Sequence, residues 1–556
     1  MKKLRKLKNV FAVMLAATCL LTACEGATYE ETKTYTYDEA VKELDAKLTK
    51  VTISEVSAPL DLYDIDTQAT TLADIDTFPI TVQGTGTINI EIAAATELSA
   101  EAPDDLINVL ARNFNKQKLQ LNGQTVSVSI RKITSGEVLT YMTEGDYRPE
   151  VYLPSAYMWG EMLKARGFSV TTLTNRLVGN TAGILMEKNT YDAFVEKYGE
   201  VTLDNVLEAS LAGDLTFAYT NPYTSTTGLN MLSGMLYCFD NNNPLSETAS
   251  QKLLDYQKQS PPVAYTTAVL RTQASKGIIK AMVMEEQAYL NAPELKDYVY
   301  VPAGIRHDHP VYTFDYVSSD KQEVARMFVE YCLSAEAQKI ATDKGFNRHD
   351  DYVEQSPGLD GAGYLAAQKI WKANKDGGKP IIAVFVADIS GSMDGKPLNA
   401  LKDSLISTAG YISSDNYIGL VSYADDVYIN LPLAQFDETQ RAYFSGAVKS
   451  LQANGGTATY DAVLVALDML SKKATEVPDA KLMLFVLSDG ERNRGYRLEQ
   501  ITDIVGGMRV PIYTIGYNLQ NSGELQKLSN VNEAALINAQ TDDIINQLRN
   551  LFNVQL

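Results

Sequence analysis

Two stretches of the chain are apolar without interruption: Ile381-Ile382-Ala383-Val384-Phe385-Val386-Ala387 and Leu482-Met483-Leu484-Phe485-Val486-Leu487. Runs this short and this uniformly apolar predict strands buried on both faces, as parallel sheets require. Strands are also predicted at 418–423 and 510–517, with a closing helix at 542–552. Upstream, strand-like runs at 88–94, 126–130, 150–153 and 183–186 alternate with helical patterns at 102–114 and 324–344. Such alternation predicts α/β architecture, with parallel sheets covered by helices.

Breaks in the pattern divide the chain. Residues 24–85 are rich in Thr, Asp, Glu and Tyr around one helical stretch at 37–48 and read as a tether. A folded domain follows over 86–347. Residues 348–365, with Pro357 and several glycines, read as a hinge. The remainder, 366–556, opens on a short helix through Trp371 and passes the Gly377-Gly378 break before the first buried strand.

The N-terminus reads as a leader. Lys2, Lys3, Arg5, Lys6 and Lys8 precede an apolar run over 10–21 that is too short to span a bilayer of roughly 30 Å. Leu21-Thr22-Ala23-Cys24 resembles the lipobox of bacterial lipoproteins. That resemblance implies cleavage after residue 23, a lipid on Cys24, and an extracytoplasmic location at the membrane.

The two apolar runs end where chemistry can gather. The first leads into Asp388-Ile389-Ser390-Gly391-Ser392, the second into Ser488-Asp489-Gly490, and between them lies Gly455-Gly456-Thr457-Ala458-Thr459. Open α/β sheets bind ligands at the carboxyl ends of their strands, so carboxylates and hydroxyls placed there can converge on one hard cation such as Mg²⁺ or Mn²⁺. An EF-hand is excluded, because its sixth and twelfth positions hold Met393 and Asn399 rather than Gly and Glu. A nucleophile elbow is excluded as well, since neither serine has the flanking glycines. Together the three elements resemble the metal-ion-dependent adhesion site of von Willebrand factor type A domains. The resemblance implies a doubly wound Rossmann-like sheet with a metal at its top. Ser390, Ser392 and Thr457 would supply hydroxyls, Asp388 and Asp489 would bind directly or through water, and a partner's Asp or Glu would fill the open position.

A second resemblance covers 86–347. Ala95-Thr96-Glu97, Ile133-Thr134-Ser135-Gly136, Pro149-Glu150 through Ser155 with Trp159, and Asn221-Pro222 through Thr226 are similar in order to two-lobed type II periplasmic solute-binding proteins, especially the molybdate-binding group. It implies a cleft faced by Thr96, Ser135, Ser155 and Thr226 that holds a small polar solute. This chain departs from that group at Thr96, where serine is usual, and at Glu150, where aspartate is usual. Glu97 beside the cleft disfavours a bare oxyanion.

Charge narrows the partners. The formal net charge is −20, and loss of the leader would make it more negative, so nucleic acid and anionic lipid are not expected partners. Cys238 and Cys332 are expected as buried thiols. With only three histidines a His-built zinc centre is not expected, and His307-Asp308-His309 reads as a solvated turn before Pro310. No phosphate loop or nucleophile–base pair points to an enzyme. The reading is a lipid-anchored adhesion protein that takes an acidic protein ligand through Mg²⁺. The alternative is a solute-binding lipoprotein of a transport or sensing system, with the type A domain for docking.

Overall fold

A computed structural model describes residues 35–60, 72, 74–264, 266–275, 277–410, 412–490, 492–517, 523–532 and 536–539. The leader, Cys24 and the helix expected at 542–552 lie outside these residues. No helix among them is long and apolar enough to cross a membrane.

The middle domain has two lobes. In the first, strands run in the order Ile80–Val82, Gln124–Lys132, Ile88–Ala94, Val151–Leu153, Val311–Phe314, Val170–Thr174, with Ile88–Ala94 parallel to both its neighbours. The second lobe is built on Thr181–Glu187, flanked antiparallel by Ala281–Glu285 and Tyr298–Arg306. The chain crosses between lobes after Thr174 and returns after Arg306, which puts the strand ends of both lobes around one cleft. Continuous apolar packing forms a separate core in each lobe.

The C-terminal domain is a doubly wound sheet in the order Ile53–Glu55, Val427–Gln435, Tyr417–Tyr423, Ile381–Asp388, Lys481–Ser488, Ile512–Tyr517, Leu536–Ala539. Every residue of Ile381–Asp388 is buried, which is why its sequence never alternates. The strand is parallel to neighbours on both sides. The chain leaves it first towards Tyr417–Tyr423 and later returns to Lys481–Ser488 on the other side. The strand order therefore reverses there, and the reversal opens a crevice at the strands' carboxyl ends.

Two boundaries differ from the sequence reading. Within 24–85, expected as a tether, residues 37–55 supply an integral part of the C-terminal domain, while Ile80–Val82 pairs into the first lobe of the middle domain. Ile53–Glu55 pairs in parallel with Val427–Gln435. The helix Tyr37–Leu48, closed at its start by a Thr36–Glu39 capping box, buries Ala40 and Leu44 in the core beneath the sheet. Gly507 permits that docking, because a Cβ there would sit 2.7 Å from the Cβ of Ala40. The helix expected to open the C-terminal domain, observed as Gly361–Asn374, packs instead on the middle domain. Ala367 and Trp371 enter the second lobe's core, and the Trp371 indole N–H donates to the Tyr219 hydroxyl at 2.8 Å. Large apolar residues choose the nearest complementary core, and sequence order does not reveal which one that is.

Candidate functional sites

At the crevice of the C-terminal sheet, Asp388 and Ser488 close two adjacent strands. The Ser488 hydroxyl donates to Asp388 Oδ2 at 2.6 Å, and the Tyr423 hydroxyl donates to the same oxygen at 3.2 Å. Asp388 Oδ1 accepts the Ser390 amide at 2.8 Å, which folds the Asp-x-Ser turn back over the strand end. Ser390 Oγ lies 3.0 Å from Ser392 Oγ, and Ser392 donates to Asp489 Oδ1 at 2.9 Å. Four of the five expected ligands thus form one hydrogen-bonded cluster. The fifth, Thr457, is buried on the adjoining loop, whose Gly455 carbonyl accepts the Gly391 amide at 3.1 Å. Gly455 holds φ at +67°, and a Cβ there would meet Asp425 at 2.7 Å, so glycine is required at this turn.

Burial raises both Asp388 and Asp489 above the usual carboxylate range, and the charge of Asp489 raises Asp388 further. Two such carboxylates beside hydroxyl oxygens, with no nitrogen or sulfur donor, suit a hard divalent cation, which would stabilise both ionised forms. Among the described residues no group of three or more His, Cys, Asp or Glu side chains is placed to hold a metal ion, so any such ion here would depend on the hydroxyls as well as the two acids.

The sequence reading missed the residues that hold this cluster in place. Tyr423 was legible only as a strand end. Asn493 Oδ1 accepts the Thr457 amide at 2.9 Å, and Asp425 accepts the Gly456 amide at 3.2 Å while pairing with Arg494 at 3.1 Å. They lie in polar loops with no pattern to single them out.

The second site is the cleft of the middle domain, a cavity of about 350 Å³ whose walls include Thr96, Ser135, Ser155 and Thr226 together. Helices starting at Ser135 and Thr226 bring two of these hydroxyls to the floor. The Trp159 indole N–H donates to Thr226 Oγ1 at 2.8 Å, Thr226 bonds Ser135 Oγ at 3.3 Å, and Ser135 Oγ lies 3.4 Å from Ser155 Oγ. Ser155 in turn donates to Glu97, which also faces His309 Nε2 at 3.3 Å. Glu97 is held below the ordinary carboxylate range. Burial acts in the opposite direction, but the contacts to His309 and Ser155 outweigh it.

The histidine pair corrects the sequence reading. His307 and His309 are fully buried rather than solvated, because the return crossing between lobes runs through the interior. Glu150 turns away from the cavity, accepting the Glu91 amide at 2.7 Å and Lys321 Nζ at 2.6 Å. Of the two thiols, Cys332 is buried, Cys238 is half-buried, and they are not joined. Glu285, at the end of the strand Ala281–Glu285, lines the cavity from the second lobe and was not anticipated. Its only signal was a carboxylate closing an otherwise apolar strand.

Residues 383–553 match the von Willebrand factor type A domain, and residues 96–347 match the bacterial extracellular solute-binding proteins. Inter-alpha-trypsin inhibitor heavy chain H3 of Bos taurus is 30% identical over 154 residues, which cover 25% of this chain and 17% of that protein. The uncharacterized protein sll0103 of Synechocystis is 24% identical over 140 residues, covering 25% of this chain and 32% of that one. The match therefore spans well under two thirds of the length of either relative. Among solved structures, a von Willebrand factor type A protein from Catenulispora acidiphila is 19% identical, with a TM-score of 0.29 over 32% of this chain and 42% of that one. Iron-bound HitA from Pseudomonas aeruginosa is 16% identical, with a TM-score of 0.39 over 52% and 99%.

Proposed function

We propose that this chain, in which a bacterial solute-binding domain is joined to a von Willebrand factor type A domain, is an extracytoplasmic binding protein that captures an acidic group of a protein ligand through a divalent cation. The supporting observation is the single hydrogen-bonded cluster of Asp388, Ser390, Ser392 and Asp489 at the reversal of strand order, with the Thr457 loop against it. Those five residues would hold Mg²⁺ or Mn²⁺. The cation would supply local positive charge on an otherwise acidic protein and an open position for a partner's Asp or Glu. Cys24, lipidated, would keep the protein at the outer face of the membrane.

Titration calorimetry of the full chain with Mg²⁺ and Mn²⁺, wild type beside Asp388→Ala, tests this reading. Saturable binding lost in the variant is expected, followed by capture of an acidic ligand that EDTA abolishes. Equal binding in both proteins, or capture that survives EDTA, would overturn it.

A second reading has its own observation. The cavity gathers Thr96, Ser135, Ser155 and Thr226 in one wall system, which supports a small-solute site serving transport or sensing, with the type A domain as the docking module. A thermal-shift screen of the full chain with organic cations, oxyanions and neutral sugars checks it. No shift with any class would remove it.

A further inference from the structure

The hydroxyls of the cleft have a direction. An ionised carboxylate only accepts hydrogen bonds, so the Ser155 proton points to Glu97. Ser155 Oγ is then free to accept from Ser135, Ser135 from Thr226, and Thr226 from the Trp159 indole N–H. Ser135 Oγ also accepts the Ser155 amide at 3.3 Å. Every hydroxyl proton in this chain of bonds is thereby committed to another protein atom, and the last acceptor is a carboxylate. A bare oxyanion, which needs donors, finds none in these three hydroxyls and meets acidic groups on both sides of the cleft.

Glu285 faces the same cavity from the other lobe, about nineteen-twentieths buried. Its Oε1 accepts from Thr227, but its Oε2 has no hydrogen-bond partner. Glu97 has His309 beside it, whereas no basic side chain pairs with Glu285 among the described residues. Of the bases in the lining, Arg271 lies 3.6 Å from Asp104, which leaves Lys132 as the remaining cation. A buried carboxylate oxygen without a donor is costly, the more so when charged, and a donor supplied from outside relieves that cost. Burial and the nearby charge of Glu97 raise the Glu285 carboxyl above its ordinary value, and the Thr227 hydroxyl opposes that only in part.

We infer that the cavity takes a small solute carrying a protonated amine, whose N–H groups donate to Glu285 Oε2 and to Glu97 across the cleft. The two acids come from different lobes and line one cavity, so the ammonium offsets the repulsion between them. At about 350 Å³ the space lies near the lower end for small-molecule sites. This inference rests on the second reading above, that the cavity holds a solute.

The test is calorimetry and thermal shift on the full chain with 1,4-diaminobutane, agmatine and L-lysine, beside sulfate and molybdate. Saturable binding of at least one amine is expected, with no binding of either oxyanion, and Glu285→Gln should weaken the amine tenfold or more. If Glu285→Gln loses its native circular dichroism, Glu97→Gln takes its place with the same expected loss. Oxyanion binding without amine binding would overturn the inference and leave the solute reading standing. Amine binding that neither substitution weakens would overturn it in the same way. Failure of amines, oxyanions and neutral sugars alike would remove both.

Discussion

His307 shows how one side chain ties stability to pH. Its ring is fully buried, with Nε2 3.4 Å from the Asn230 amide and Nδ1 without a partner. Burial pushes its pKa down to about 3, the charge of His309 pushes the same way, and Glu97 opposes them. Between that value and about 6.5 the unfolded chain binds the proton and the folded chain does not, so stability falls as pH drops through this window. The loss attributable to this group is about 1.4 kcal/mol per pH unit. His307→Gln is expected to flatten the dependence of the urea midpoint on pH between 6 and 4 relative to wild type. Parallel curves for the two proteins would show that other groups carry the effect. In sequence the residue was one of two histidines shortly before Pro310, and nothing local marked it as interior.

At the scale of elements, two helices belong where sequence order did not put them. Ala40 and Leu44 stand one turn apart on Tyr37–Leu48 and face the helices Thr459–Glu476 and Thr502–Met508. Leu44→Ala is expected to cost about 2–4 kcal/mol in the C-terminal domain, read as a lowered calorimetric transition. Gly507→Ala, which would press on Ala40 and Tyr35, is expected to cost about 1–3 kcal/mol in the same transition. Trp371→Ala should act on the other unit. It removes a fully buried indole from the second lobe, at about 3–5 kcal/mol, and should lower the middle domain's transition while leaving that of the C-terminal domain in place. The helix at 37–48 was legible from its own periodicity, and the structure places it over those same residues behind its Thr36–Glu39 start. Its docking partner was not legible, because an amphipathic face specifies that something apolar must cover it without specifying which surface does.

For the whole molecule, the consequence is that the chain leaves the C-terminal unit after Pro59 and returns to it at Ile381–Asp388, with the two-lobed domain inserted between. The carbonyl of Pro59 passes so close to Gly446 that a Cβ there would lie 1.8 Å away, so the departing segment is held against the domain it leaves. A chain lacking residues 1–58 would expose the edge of Val427–Gln435 and the apolar face beneath Tyr37–Leu48. Such a chain is expected to show a lower C-terminal transition and faster proteolysis than the full chain, with the middle domain's transition little changed. Equal resistance in the two proteins would mean that the N-terminal segment contributes little to the fold.

The sequence by itself determined the two α/β units, their central strands and the order of the metal-type motif. Short uninterrupted apolar runs favour strands buried on both faces, and the Asp-x-Ser-x-Ser turn follows directly from one of them. It also brought Thr96, Ser135, Ser155 and Thr226 forward as a group, which the cavity unites. Only the tertiary structure decided that Glu285 and Glu97 line one cavity, that His307 and His309 are interior, and that Tyr423 and Ser488 clamp Asp388. It alone also decided that the helix Tyr37–Leu48 belongs to the last domain. These are contacts between residues far apart in the chain. They are set by which apolar faces close on one another and by which buried acids then find a donor, and neither outcome is written in local pattern.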